Sequence, residues 1–142
     1  MISESVIEYT EARHAIETIY SEVLKRGKAG VIAVCDPHGE LIAFARMDGA
    51  PFSSINIAIH KAYSAARERK PSKDIGNAAR LPDSGFDIGY FGDPKFTGWG
   101  GGVPIWKANK VVGAIAVSGL PEAEDMELAA MGANAILSRA SA

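Results

Sequence analysis

Apolar residues recur at Ala12, Ala15, Ile16, Ile19, Tyr20, Val23 and Leu24, the spacing of one helical stripe. The run begins after Thr10-Glu11 and stops at Gly27, which predicts a first helix with His14 almost opposite the stripe. GVIAVCD and ELIAFARM then read as two strands joined by Asp36-Pro-His-Gly39, where proline second and glycine fourth suit a type I turn. Met47-Asp-Gly-Ala-Pro51 breaks the pattern, and Ser53 or Ser54 can cap a second helix running to about Glu68. Its stripe, Ile55, Ala58, Ile59, Ala62, Ala65 and Ala66, is mostly alanine, so another helix or a sheet can approach it closely. From Lys70 to Thr97 the chain is irregular, with a short helix expected after Ser72 and a short strand near Ile88–Phe91. GVPIWK and VVGAIAVSG form a second hairpin through Ala108-Asn-Lys110. Glu122, Glu124 and Asp125 sit where a helix N-terminus favours negative charge, and Leu128, Ala129, Ala133, Ile136 and Leu137 face inward behind them. Strands paired in hairpins between helices predict an antiparallel α+β domain.

Composition narrows the classes. The 142 residues are 47% hydrophobic and 23% charged, with a net charge of −2, so no bulk charge attracts nucleic acid or an anionic membrane. The longest apolar run, Val111 to Val117, is too short to cross a bilayer and too far from the N-terminus for a signal peptide. A lone cysteine, Cys35, excludes an internal disulfide and a cysteine-cluster metal site. These features predict one soluble, cytoplasmic domain over residues 1–142, with neither nucleic acid nor membrane as a partner.

The run Gly98-Trp-Gly-Gly-Gly-Val-Pro-Ile-Trp106 invites a phosphate-loop reading that fails. Val103-Pro104 stand where a phosphate loop needs Lys and Ser/Thr, and Ile105 stands where a dinucleotide fingerprint needs its third glycine. The plainer reading is a bulge or the lead-in to an edge strand, where glycine takes positive φ and proline is tolerated. The functional one is bare backbone against a flat ligand or a neighbouring subunit, with Trp99, Trp106, Phe91 and Phe96 as an apolar wall. His14, His38 and His60 have no metal-site spacing. His14 reads first as a solvated residue, and second as a haem or metal ligand completed by a partner subunit. No Gly-x-Ser-x-Gly elbow occurs, Cys35 reads as an inert core thiol, and Asp125 reads as a helix cap rather than a catalytic acid.

Four segments in order resemble one family: Arg46-Met-Asp-Gly-Ala-Pro51, Lys61-Ala62 with Ser64-Ala65, Gly101-Gly-Val-Pro-Ile105, and Gly113-Ala-Ile-Ala-Val-Ser-Gly119 followed by Asp125. Together they are similar to the GlcG/HbpS family, which includes the C-terminal domain of PduO proteins, over roughly residues 8–138. The resemblance implies a profilin-like fold, a five-stranded antiparallel sheet with helices on both faces. It also implies homodimers that assemble into octamer-like oligomers, for which the alanine stripe offers a face. Some members of the family bind haem. The sequence departs from the pattern at Ala116, where glycine is usual, at Ser64, where threonine is usual, and in the aromatic, glycine-rich segment 84–100.

The reading that follows is a small-ligand-binding protein, with haem or a related planar tetrapyrrole at a subunit interface. His14 would hold the metal, and Trp99, Gly100, Gly101 and Gly102 would contact the ligand. The alternative is an enzyme or accessory factor acting on a small organic acid or aromatic catabolite, in which Arg46, Lys61, Ser64 and Ser118 form a polar pocket for a carboxylate. A third reading is a structural oligomer with a vestigial pocket.

Overall fold

A computed structural model describes residues 1–140, with side chains described through residue 138. Helix α1 spans Tyr9–Lys25; strands β1 (Val31–Cys35) and β2 (Leu41–Arg46) follow, then helices α2 (Ser54–Glu68) and α3 (Ser72–Ala79). Strands β3 (Gly102–Lys107) and β4 (Lys110–Ser118) lead into α4, Glu122–Ala140. The strands form one antiparallel sheet in the order β2-β1-β4-β3.

The alternation of side chains along the two central strands separates two cores. Ile32 and Val34 of β1 and Ile115 and Val117 of β4 pack with Ile16, Ile19 and Val23 of α1 and Leu128 and Ile136 of α4. Val31, Ala33, Cys35, Ala114 and Ala116 point the other way and meet Ala58, Ala62, Ala65 and Ala66 of α2. Alanine therefore faces alanine, and α2 lies close on the chain's own sheet. The small-residue stripe is used internally, so it does not argue for self-association.

Local chemistry sets the element ends. The Glu11 side chain accepts the Glu8 N–H at 3.0 Å ahead of α1, and Gly27, at φ +69°, ends the helix. The Asp36–Glu40 turn is closed by the Asp36 carboxylate, which accepts the N–H groups of His38 and Glu40. Ala108 and Asn109 both take positive φ, the geometry of a type I′ hairpin turn. Pro104 is accommodated because β3 is an edge strand.

Three expectations need correction. Among the described residues the sheet has four strands, not five. The segment Ile88–Phe91 is a short 3₁₀ helix rather than a strand, because the Asp87 carboxylate accepts the Gly89 N–H and Gly92 turns the chain at φ +69°. Tyr20 and Leu24 are exposed (40% and 60%), since the arc of α1 that meets α4 and the sheet is narrower than its apolar stripe. Among the described residues, no helix is long and apolar enough to cross a membrane.

Candidate functional site

Helix α2 carries a lysine into the interior. Lys61 is 1% exposed, and its Nζ donates to the Val117 carbonyl at 3.0 Å and to Asp125 Oδ2 at 3.1 Å. Asp125, 3% exposed, uses its other oxygen to accept the Leu120 N–H at 3.1 Å. Asp125 thus ties down the chain entering α4 and is also the counter-ion of a buried cation. Burial pushes Lys61 down from the ordinary lysine range and Asp125 up to about 6, and the attraction between them opposes both shifts.

The glycine run is built around this pair. A Cβ on Gly101 would lie 2.6 Å from the Val117 carbonyl oxygen, 2.8 Å from Lys61 Nζ and 3.0 Å from Asp125 Cβ. A Cβ on Gly102 would lie 2.3 Å from the Lys61 carbonyl oxygen. The backbone is pinned on both sides: Gly102 N–H donates to Ser72 Oγ at 2.9 Å, and Gly100 N–H donates to Glu122 Oε2 at 2.8 Å. Ser72 Oγ donates to the Trp99 carbonyl at 2.7 Å, and Lys73 pairs with Glu122 at 2.7 Å. The atoms against the bare backbone of Gly101 and Gly102 belong to α2, β4 and α4 of the same chain.

Beside the pair, segment 84–100 folds onto an aromatic ladder. Phe96 stacks on Phe91 with ring centroids 4.3 Å apart and meets Tyr63 edge-on at 5.6 Å. Ser64, fully buried one helical turn from Lys61, donates to the His60 carbonyl at 2.8 Å and accepts the Thr97 N–H at 2.9 Å. Trp99 is 55% exposed, its ring 5.8 Å from Lys61 Nζ. Between α3 and this segment opens a cleft of about 780 Å³ whose lining includes Lys73, Arg80, Phe86, Phe96, Trp99 and Glu122.

Lys61, Trp99, Gly100, Gly101 and Gly102 therefore converge, with Ser64 on the adjoining helix turn. Ser118, buried at the end of β4, follows Val117 and pairs with Val31 across the sheet. Arg46 stands apart, exposed at the end of β2, its guanidinium 5.9 Å from the Phe52 ring centroid in a separate surface hollow. His14 lies half-buried on α1, in the layer across the sheet from α2. Its ring has no hydrogen-bond or ion-pair partner among the described residues, which also contain no group of three or more His, Cys, Asp or Glu able to hold a metal ion. Burial raises the Cys35 thiol to about 12, as an inert core cysteine requires.

The partnership of Lys61 with Asp125, the Lys73–Glu122 ion pair and the place of Arg80 in the cleft lining were not read from the sequence. Lys73 and Arg80 are seven residues apart, two turns along one helix face, a spacing visible in the sequence once α3 is placed.

The pattern of the haem degrading protein HbpS-like family matches residues 7–134. The chain belongs to this family. This HbpS-like chain is 28% identical over 125 residues to an uncharacterized 15.0 kDa protein in the dhaT-dhaS intergenic region of Citrobacter freundii, covering 88% of each. The crystal structure of Klebsiella pneumoniae protein ORFY superposes with a TM-score of 0.89 at 25% identity, over 97% of this chain and 95% of that one. A PduOC:heme complex superposes with a TM-score of 0.84 at 19% identity, over 92% and 94%, a likeness of fold.

Proposed function

We propose that this HbpS-like protein binds haem, or a closely related planar tetrapyrrole, near an interface between copies of the chain, with the imidazole of His14 on the iron. The carrying observation is the state of His14: half-buried on α1, with no partner for its ring among the described residues. An imidazole with a free ring nitrogen is a donor that fits iron, and His14 would hold the group there. Tyr20 and Leu24, exposed on the same helix, offer apolar surface to a macrocycle or a second copy. Membership of a family described as haem degrading, and the fold shared with a protein solved with heme, support the same reading. Bound haem would supply redox and ligand-binding chemistry at the iron; the chain's part is to hold and orient it.

Titration of the purified protein with hemin tests this. A saturable shift of the Soret band is expected, and His14→Ala should abolish it while leaving the circular dichroism spectrum unchanged. An unshifted wild-type spectrum overturns haem binding; a shift retained by His14→Ala overturns the role of His14.

A further inference from the structure

We infer that the cleft between α3 and residues 96–99 is a binding site for a planar aromatic carboxylate. Its volume, about 780 Å³, lies within the usual range of small-molecule sites, about 300–1,000 Å³. Three features of its lining constrain the ligand.

The first is a floor of bare backbone. Gly76 of α3 and Gly98 cross in direct contact: a Cβ on Gly76 would lie 2.2 Å from the Gly98 carbonyl oxygen, and one on Gly98 would lie 2.4 Å from Gly76 Cα. Both glycines line the cleft, and because each fills the space that the other's Cβ would need, their close crossing fixes where the floor lies. The hydrogen bonds from Thr97 N–H to Ser64 and from Ser72 to the Trp99 carbonyl fix this floor on either side of Gly98.

The second is the wall. Phe86, Phe96 and Trp99 line the same space. Phe96 is held by Phe91 and Tyr63, so one face of the cleft is a fixed ring, while Trp99 is a large apolar side chain left more than half exposed. Aromatic ligands gain from offset or edge contacts with such rings.

The third is charge. Four charged side chains line the cleft: Lys73, Arg80, Asp87 and Glu122. Lys73 and Glu122 neutralise one another, Glu122 also accepts the Gly100 N–H, and Asp87 accepts the Gly89 N–H. Arg80, at the C-terminal end of α3, has no partner for its guanidinium among the described residues. Its planar fork of donors matches a carboxylate, whereas two nearby acids disfavour a multiply charged anion such as a phosphate ester. One unpaired cation beside aromatic walls and a glycine floor fits a ring bearing a single carboxylate. The site lies on the α3 side of the fold, away from α1 and His14, and stands or falls independently of the haem proposal.

The test uses a Trp106→Phe background, in which Trp99 is the remaining tryptophan, and follows its fluorescence during titration with benzoate. Saturable quenching is expected, weakened about tenfold or more by Arg80→Gln, which leaves an exposed helix end and should not disturb folding. Benzamide, the same ring without charge, should bind about tenfold more weakly or worse. His14→Ala should leave the benzoate curve unchanged, and Arg80→Gln should leave the hemin titration unchanged. No saturable quenching by benzoate overturns the site. Equal binding of benzoate and benzamide, or no effect of Arg80→Gln, overturns its assignment to carboxylates.

Discussion

Lys61 and Asp125 stand 64 positions apart in the chain and on helices that cover opposite faces of the sheet, yet their charged groups meet at 3.1 Å. They meet at the C-terminal end of β4, where the Val117 carbonyl accepts a second hydrogen bond from the same ammonium group. The pair ties α2 to the start of α4 around the backbone of Gly101. Its consequences concern stability before they concern chemistry, because both side chains are closed to solvent.

Removing one partner should cost far more than removing both. Lys61→Met leaves the Asp125 carboxylate buried without a counter-ion, a loss of about 3–5 kcal/mol for pairs of this type. Lys61→Met combined with Asp125→Asn leaves no charge and keeps an oxygen able to accept the Leu120 N–H. Urea denaturation of the wild type, both single variants and the double variant should show the double variant recovering most of the loss. A double variant as unstable as the sum of the singles would show that the two groups do not act as a pair.

Asp125 should titrate near 6, well above an ordinary aspartate, and its carboxyl carbon should report this directly by NMR. The sign follows from burial: with the folded value raised, the folded chain holds a proton that the unfolded chain has released. This contribution to stability is fully present below the unfolded value of 3.8 and is lost as pH rises through about 6. Two partly buried acids with hydrogen-bond donors run the other way. Asp93, held low by Tyr63, and Glu122, held low by Lys73, contribute stability that is lost as pH falls through their depressed values. An Asp125 resonance titrating at the ordinary aspartate value would remove the burial argument.

The elements themselves were largely legible in the sequence, because they rest on local pattern. The alternation in VIAVC sends Ile32 and Val34 to one core and Val31, Ala33 and Cys35 to the other, and Asp36-Pro-His-Gly39 makes the expected turn. What was not legible depends on distance in the chain. Asp125 carries the local signature of a cap and accepts the Leu120 N–H just ahead of α4, while its attraction to Lys61 depends on a crossing that periodicity does not reveal. Segment 84–100 was legible as aromatic but not as a ladder, since Phe86, Phe91, Phe96 and Tyr63 meet through loop geometry. In Ile88–Phe91, strand-like residues lost to one Asp87 side-chain hydrogen bond and a left-handed glycine.

Gly101→Ala should be among the most damaging single methyl additions in the chain. The added Cβ would crowd the Val117 carbonyl, Lys61 Nζ and Asp125 together, and φ at this position is +130°. A loss of about 3 kcal/mol or more is expected, combining backbone strain with overpacking. Gly27→Ala is the control: φ is +69°, but nothing lies within 4 Å of the added carbon, so about 1 kcal/mol should be lost. Thermal melts of the two variants compare these directly, and equal losses would mean that the close packing around Gly101 carries no energetic weight.

Ser64→Ala tests whether α2 holds the floor of the aromatic cleft. The hydroxyl is fully buried, and its loss leaves the Thr97 N–H without its acceptor, while the His60 carbonyl keeps its place in the helix ladder. An unsatisfied buried donor costs about 1–3 kcal/mol, and because Thr97 is only partly buried a global loss at the low end, about 1 kcal/mol, is expected. The local effect should be more specific. Thr97 immediately precedes Gly98, so amide exchange at Thr97 should accelerate more than exchange in β1, where the Val31–Cys35 ladder is untouched. If the cleft depends on this anchor, Ser64→Ala should also weaken benzoate binding while Arg80 is unchanged. Uniform acceleration of exchange through β1 and Thr97 alike would show that Ser64 supports the fold as a whole rather than the cleft.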